Sequence, residues 1–325
     1  MEFMVAQKDP IESLEPRTFI LWTPDEEPVV SVGPEQHPVS LPIIPYPLPC
    51  DRKSDSPPTS NEIGTGIYDY LRQFPDCPYN AQYAEILREA YPHFLADLGS
   101  QIAMLDHKEV DSPYVRRKIT FLKILALLEP DNPGLLQTLG MANYDLALMF
   151  TELSQCHHHL LAAAGFFKRA DTNKPGDVTN LNYLGQIDYL LGDYPSAIRI
   201  WSRMMASLKD ESLKEIFAKK ISKMEQEGMP EQPLFVHLEA IGAAMEAYGQ
   251  GLPQDALEIL EYLEEQTTIP VEFPSPQFYY LLGLSRQSTG DMGGAFVAFE
   301  KALEIDPHFH PAQEEMNSMS NRGSL

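Results

Sequence analysis

The chain has 325 residues, 43% of them hydrophobic, enough to bury a core over most of its length. Its 47 acidic and 24 basic side chains leave a formal charge of -23, which argues against a nucleic-acid binder, since that needs Lys and Arg to neutralise phosphates. The cysteines, Cys50, Cys77 and Cys156, are too few and too widely spaced for a disulfide framework or a cysteine-rich zinc site, and suit a reducing cytoplasm.

At the N-terminus Glu2, Lys8, Asp9 and Glu12 have no long apolar run behind them, so neither an ordinary signal peptide nor membrane insertion is expected. Prolines from Pro10 and Pro16 through Pro34, Pro45, Pro47 and Pro49 to Pro57 and Pro58 forbid a continuous helix over residues 1–60. This proline-rich arm still carries apolar pieces, Phe19 to Trp22, Val29 to Val32 and Leu41 to Leu48, and strand signals occur only there. Two readings are open for it: a flexible tail, or an extended segment packed on its own protein.

From about Asn61 the apolar residues recur at helical spacing. The pattern predicts helices near 82–106, 113–128, 134–154, 156–170, 178–191, 194–208, 211–227, 233–249, 253–266, 276–289 and 291–305, with a short one after Pro311. The expected architecture is all-α over residues 61–325.

Within this region the sequence repeats itself. Tyr279, Leu282, Gly283, Gly290, Ala295, Phe299, Ala302 and Pro307 share their intervals with Leu181, Leu184, Gly185, Gly192, Ala197 and Trp201. A third copy opens with Leu136, Leu139 and Gly140 and closes with Phe167, Ala170 and Pro175, with about eleven extra residues inside it. These intervals resemble the tetratricopeptide repeat, a helix-turn-helix unit of about 34 residues. Two copies are clear and three degenerate: the third copy, a unit ending in Ile119 to Leu128 before the turn Glu129–Pro133, and residues 233–266 with Ala244, Gly251, Ala256, Leu260 and Leu263. The resemblance implies an α-solenoid of about five hairpins and a capping helix at the C-terminus.

In such hairpins the glycines let two helices approach, and Trp201 and Phe299 are expected to fill the space between neighbouring hairpins. The eleven extra residues amount to three helical turns, so the third hairpin is expected to be longer. Helix 211–227 breaks the alternation; Leu213, Ile216, Phe217, Ile221 and Met224 form one stripe, with Lys214, Lys219, Lys220 and Lys223 elsewhere. It reads as a bend between sub-arrays or as a partner-binding ridge.

The resemblance also implies a concave groove lined by the first helix of each hairpin. This directs attention to Met141, Tyr144, Asn182, Gln186, Tyr189, Met245, Tyr248, Leu284 and Gln287. Tyr144, Tyr189 and Tyr248 recur four residues past Gly140, Gly185 and Ala244 and read either as peptide anchors or as packing between helices. Asn182 and Asn143 alone match the family's carboxylate clamp, without the basic residues it needs. Glu152, Cys156 and His159, spaced four and three apart, share a face on a helix and are weak metal candidates, set against histidines that merely pack.

No phosphate loop, nucleophile elbow, zinc-helix or dinucleotide motif occurs, so no enzyme activity, catalytic residue or cofactor is expected. The leading expectation is a scaffold or assembly adaptor that holds a peptide or helix of another protein, a second copy of the chain included. The alternative is a metal-binding accessory or sensor protein built on Glu152, Cys156 and His159.

Overall fold

The computed structural model describes residues 17–32, 35–52, 56–106, 111–227 and 232–322. Glu2, Lys8, Asp9, Pro10, Glu12, Pro16 and Pro34 lie outside these described residues. The chain divides into two compact units, Met1–Pro130 and Asp131–Leu325.

In the first unit, strands β1 (Phe19–Trp22) and β4 (Tyr46–Pro49) pair antiparallel, and β2 (Val29–Val32) pairs with β3 (His37–Ser40) between them in sequence. Cys50 N donates to Thr18 O at 3.0 Å, so the ladder alternation puts the next bonded pairs at Ile20 with Leu48 and Trp22 with Tyr46. Pro47 and Pro49 therefore occupy positions that need no N–H toward β1. Helices α1 (Ser60–Gln73), α2 (Asn80–Ala90), α3 (Pro92–Asp106) and α4 (Ser112–Leu128) complete the unit.

The strands are part of this unit's core: Tyr46 and Leu48 have no exposed surface, and Tyr83 O–H donates to Pro45 O. A Cβ on Gly66 of α1 would stand 2.0 Å from Pro47 O, so only glycine lets the strand backbone come this close. Arg17 pairs with Asp69, and Phe19 meets Tyr70 edge-on at 5.1 Å. The composition boundary near residue 60 thus falls inside a compact unit, because the arm supplies the apolar residues that cover α1 and α2.

Helix α1 precedes the first span read from periodicity. Its start has a local signature, Thr59-Ser60-Asn61-Glu62: Thr59 Oγ1 accepts from Glu62 N at 3.2 Å and Glu62 Oε2 accepts from Thr59 N at 2.7 Å. The single helix expected over 82–106 is two helices, broken at Tyr91 because Pro92 lacks an N–H and disfavours helical backbone before it.

The second unit contains α5 (Pro133–Leu148), a 3-10 segment (Phe150–Gln155), α6 (Cys156–Asn173), α7 (Val178–Leu190), α8 (Tyr194–Ser207), α9 (Glu211–Glu227), α10 (Leu234–Gly249), α11 (Pro253–Gln266), the single turn α12 (Ile269–Glu272), α13 (Pro276–Thr289), α14 (Met292–Ile305) and α15 (His310–Arg322). The pairs α5–α6, α7–α8, α10–α11 and α13–α14 are helical hairpins. In the two clear repeats the turn is made the same way. Gly192 and Gly290 adopt positive φ, and the next residue, Asp193 or Asp291, caps the second helix through its carboxylate.

One contact recurs in three hairpins. A Cβ on Gly140 would meet the Phe167 ring at 2.8 Å, one on Gly185 would meet Trp201 Nε1 at 2.3 Å, and one on Gly283 would meet Phe299 at 2.4 Å. Phe167, Trp201 and Phe299 are fully buried. Each ring therefore lies on the glycine of its own hairpin, and Trp201 also packs on the following helix through Phe217 at 5.8 Å. Phe167 also reaches the next hairpin, stacking on Tyr183 at 4.9 Å.

The insertion in the third copy is absorbed in two ways. Helix α6 has 18 residues where α8 and α14 have 14, and the chain between α5 and α6 forms the 3-10 segment rather than the helix to 154 expected from periodicity. That segment packs on α10, where a Cβ on Gly242 would stand 2.4 Å from Ser154 N. Helix α9 packs on α8 in a small cluster around Trp201, with Ile221 and Met224 buried and Leu213 and Ile216 exposed. None of the described helices is long and apolar enough to cross a membrane.

Candidate functional site

The first helices of the second unit's hairpins touch in sequence, α5 with α7, α7 with α10, and α10 with α13. Polar side chains bridge this layer. Tyr144 O–H donates to Gln186 Oε1 at 2.7 Å, the Tyr248 and Ser288 hydroxyls are 3.3 Å apart, and Gln287 Nε2 donates to Glu315 Oε2 at 3.2 Å. Tyr144, Gln186, Tyr189, Tyr248 and Gln287 are half-buried, as are Met141, Asn182 and Met245. Burial raises the phenol pKa of Tyr144 above its ordinary value, so this ring is an uncharged donor.

Tyr189 follows a different course. Its hydroxyl donates to Glu272 Oε2 at 2.6 Å, and its ring lies 6.0 Å from that of Trp201. Leu284 is only 8% exposed and belongs to the core, so it offers little surface to a ligand. Asn143 is buried with Nδ2 donating to Leu139 O at 2.8 Å, whereas Asn182 Oδ1 is buried without a hydrogen-bond partner among the described residues. The two asparagines therefore make no joint clamp.

The metal candidates do not share a helix face. Glu152 lies in the 3-10 segment and Cys156 begins α6, so the expected four-residue step is lost. Glu152 Oε2 and His159 Nε2 are 3.7 Å apart, while Cys156 is fully buried, and burial pushes its thiol pKa up to about 12. Among the described residues no three His, Cys, Asp or Glu side chains are grouped to hold a metal. The neighbouring His157 stacks its ring on Phe235 at 4.6 Å, and its backbone N–H donates to Glu239 Oε1 at 3.0 Å, so it joins α6 to α10.

A second cluster escapes the sequence reading. Lys220 of α9 places Nζ 4.5 Å from the Tyr189 ring centre and 4.6 Å from that of Trp201. Burial lowers the pKa of its ammonium, opposed by the charge of Glu272. The signal is present in the spacing: Lys220 stands three residues after Phe217 and four before Met224, on the apolar stripe rather than off it.

The fold and the recurring glycine-ring contact define an all-α array of tetratricopeptide-like hairpins. No protein-family profile matches the chain, and no curated protein sequence matches it. Solved structures that it resembles include MamA, 16% identical over 60% of this chain and 90% of that one, with a TM-score of 0.25. A tetratricopeptide repeat protein from Parabacteroides merdae is 14% identical over 80% of this chain and 92% of its own, with a TM-score of 0.27. A thermophilic tetratricopeptide repeat protein from Thermus thermophilus is 14% identical over 69% of this chain and 96% of its own, with a TM-score of 0.26. At such low scores the repeat assignment rests on the hairpin packing itself.

Proposed function

We propose that this protein is a non-enzymatic interaction scaffold or assembly adaptor that holds a peptide or helix of a partner protein along the α5, α7, α10 and α13 layer. The observation that carries the reading is the half-buried polar row, in which Tyr144–Gln186 joins α5 to α7, Tyr248–Ser288 joins α10 to α13 and Gln287–Glu315 joins α13 to α15, with part of each side chain left in solvent. Such groups offer apolar bodies for contact and unused hydrogen-bonding capacity for an extended or helical ligand. Met141, Asn182, Tyr189 and Met245 extend the same lining.

The test uses point variants, because starting the chain at Asn61 would strip Tyr46 and Leu48 from the first unit's core. Gln186→Ala, Tyr248→Phe and Gln287→Ala are combined in the full chain. A partner captured by the unaltered protein is expected to bind about tenfold more weakly, with unchanged helical circular dichroism. Equal affinity would remove the groove from the reading.

A further inference from the structure

We propose that Tyr189, Trp201 and Glu272 form a recognition site for the side-chain ammonium of a lysine, occupied here in cis by Lys220 and open to a partner polypeptide's lysine when α9 lifts. The site shares Tyr189 with the groove but is built on α8, α9 and α12, so it goes beyond the groove reading.

Three observations carry it. First, the ammonium of Lys220 is held by aromatic faces, 4.5 Å from the centre of Tyr189 and 4.6 Å from that of Trp201, and makes no ion pair within 4 Å among the described residues. Glu272 acts on it from farther off, while its carboxylate accepts the Tyr189 hydroxyl at 2.6 Å and fixes that ring. Two ring faces backed by one carboxylate have the chemistry of an ammonium receptor.

Second, Lys220 breaks a local rule. Its neighbours on the α9 stripe, Phe217, Ile221 and Met224, are apolar and packed, and a helix serving only to cover α8 would carry an apolar residue at this spacing as well. Desolvating an ammonium costs free energy, so its seat on this stripe requires compensation, which the two ring faces and the charge of Glu272 supply.

Third, α9 is weakly fastened. Ile221 and Met224 are its buried apolar anchors and Phe217 is half-buried, whereas Leu213 is 41% and Ile216 58% exposed. Sparse apolar burial places a helix at the low end of local stability. Beneath it lie Trp201, Met204 and Tyr194, a large apolar surface of the kind that anchors peptides.

Hydrogen exchange of residues 211–226 tests the site in the full chain carrying Lys220→Ala. Exchange there is expected to be about tenfold faster than in the unaltered protein, with α7 and α10 unchanged. Added n-butylammonium should restore protection, and n-butanol at equal ionic strength should not. Restoration by both, or by neither, would show apolar packing instead of ammonium recognition and would overturn the proposal, as would unchanged exchange in the variant.

A second measurement covers a variant that does not fold. In the otherwise unaltered chain, Trp22→Phe leaves Trp201 as the sole indole, and Glu272→Gln is expected to shift Trp201 emission to the red and speed α9 exchange. No change in either would also overturn it. Failure here leaves the groove reading standing, since Gln186, Tyr248 and Gln287 bond to Tyr144, Ser288 and Glu315 and take no part in the Lys220 cluster.

Discussion

Alanine at position 283 tests whether the repeat is a packing device. An ideal Cβ there would lie 2.4, 2.7 and 2.9 Å from Cε1, Cδ1 and Cζ of Phe299, which is fully buried. Carbon atoms prefer about 3.5–4.0 Å, so the ring or the helix must move by about 1 Å. Overpacking of this kind costs about 1–3 kcal/mol, and the better helix propensity of alanine returns about 1 kcal/mol. Gly165, inside α6, provides the control, because a Cβ there meets nothing within 4 Å. Gly165→Ala is expected to stabilise by about 0.5–1 kcal/mol. Calorimetry of the full chain should therefore show the second unit melting about 1–4 °C higher for Gly165→Ala and a similar amount lower for Gly283→Ala. Phe299→Leu should cost less in the Gly283→Ala background than alone, because the smaller side chain leaves room for the methyl. If the two alanines behave alike, or the double mutant is simply additive, the glycine-ring contact does not organise the hairpin.

Other positions give independent tests. In Gly66→Ala the new methyl faces the backbone oxygen of Pro47, which cannot rotate away, so the strands must lift from α1 at a cost of about 3 kcal/mol; limited proteolysis should cut residues 17–52 faster. Cys50 is exposed and should be alkylated at once in the native protein, while Cys156, fully buried and with its thiol pKa at about 12, should react only on unfolding, as read by mass spectrometry. Asp188 sits near the C-terminus of α7, and burial, with the charge of Asp193 added, raises its carboxyl pKa above the ordinary value. The folded state then binds protons more readily than the unfolded chain, so this group's contribution falls as pH rises through the folded pKa. Asp188→Asn should stabilise at pH 7 by about 0.3–1 kcal/mol, and the gain should vanish as pH falls to the ordinary aspartate pKa near 4, measured as the melting temperature at each pH.

Legibility differs between elements for physical reasons. The hairpins α7–α8 and α13–α14 can be read from Leu, Gly, Ala and aromatic intervals because helix-to-helix contact within one hairpin links residues at fixed short separations. Helix α1 escapes the periodicity although Thr59 and Glu62 form its capping box, since its two tyrosines and two glycines blur the apolar period. The metal candidates require a helix that does not exist there: the chain turns at Met149 into the 3-10 segment, and no local signal marks that break. Charge alone puts Lys220 on the polar face of α9, although its spacing puts it on the stripe.

Periodicity, turn glycines and capping residues are properties of neighbouring residues, so the all-α class, the hairpin register and the proline-rich start of the chain follow from the sequence alone. What lies across long separations does not. The docking of residues 17–52 on α1 depends on Gly66 meeting Pro47, the seat of the insertion depends on Gly242 meeting Ser154, and the lysine cleft joins Tyr189 to Glu272 across 83 residues. Each of these is decided by which backbones can approach within van der Waals distance, and only the packed structure sets that.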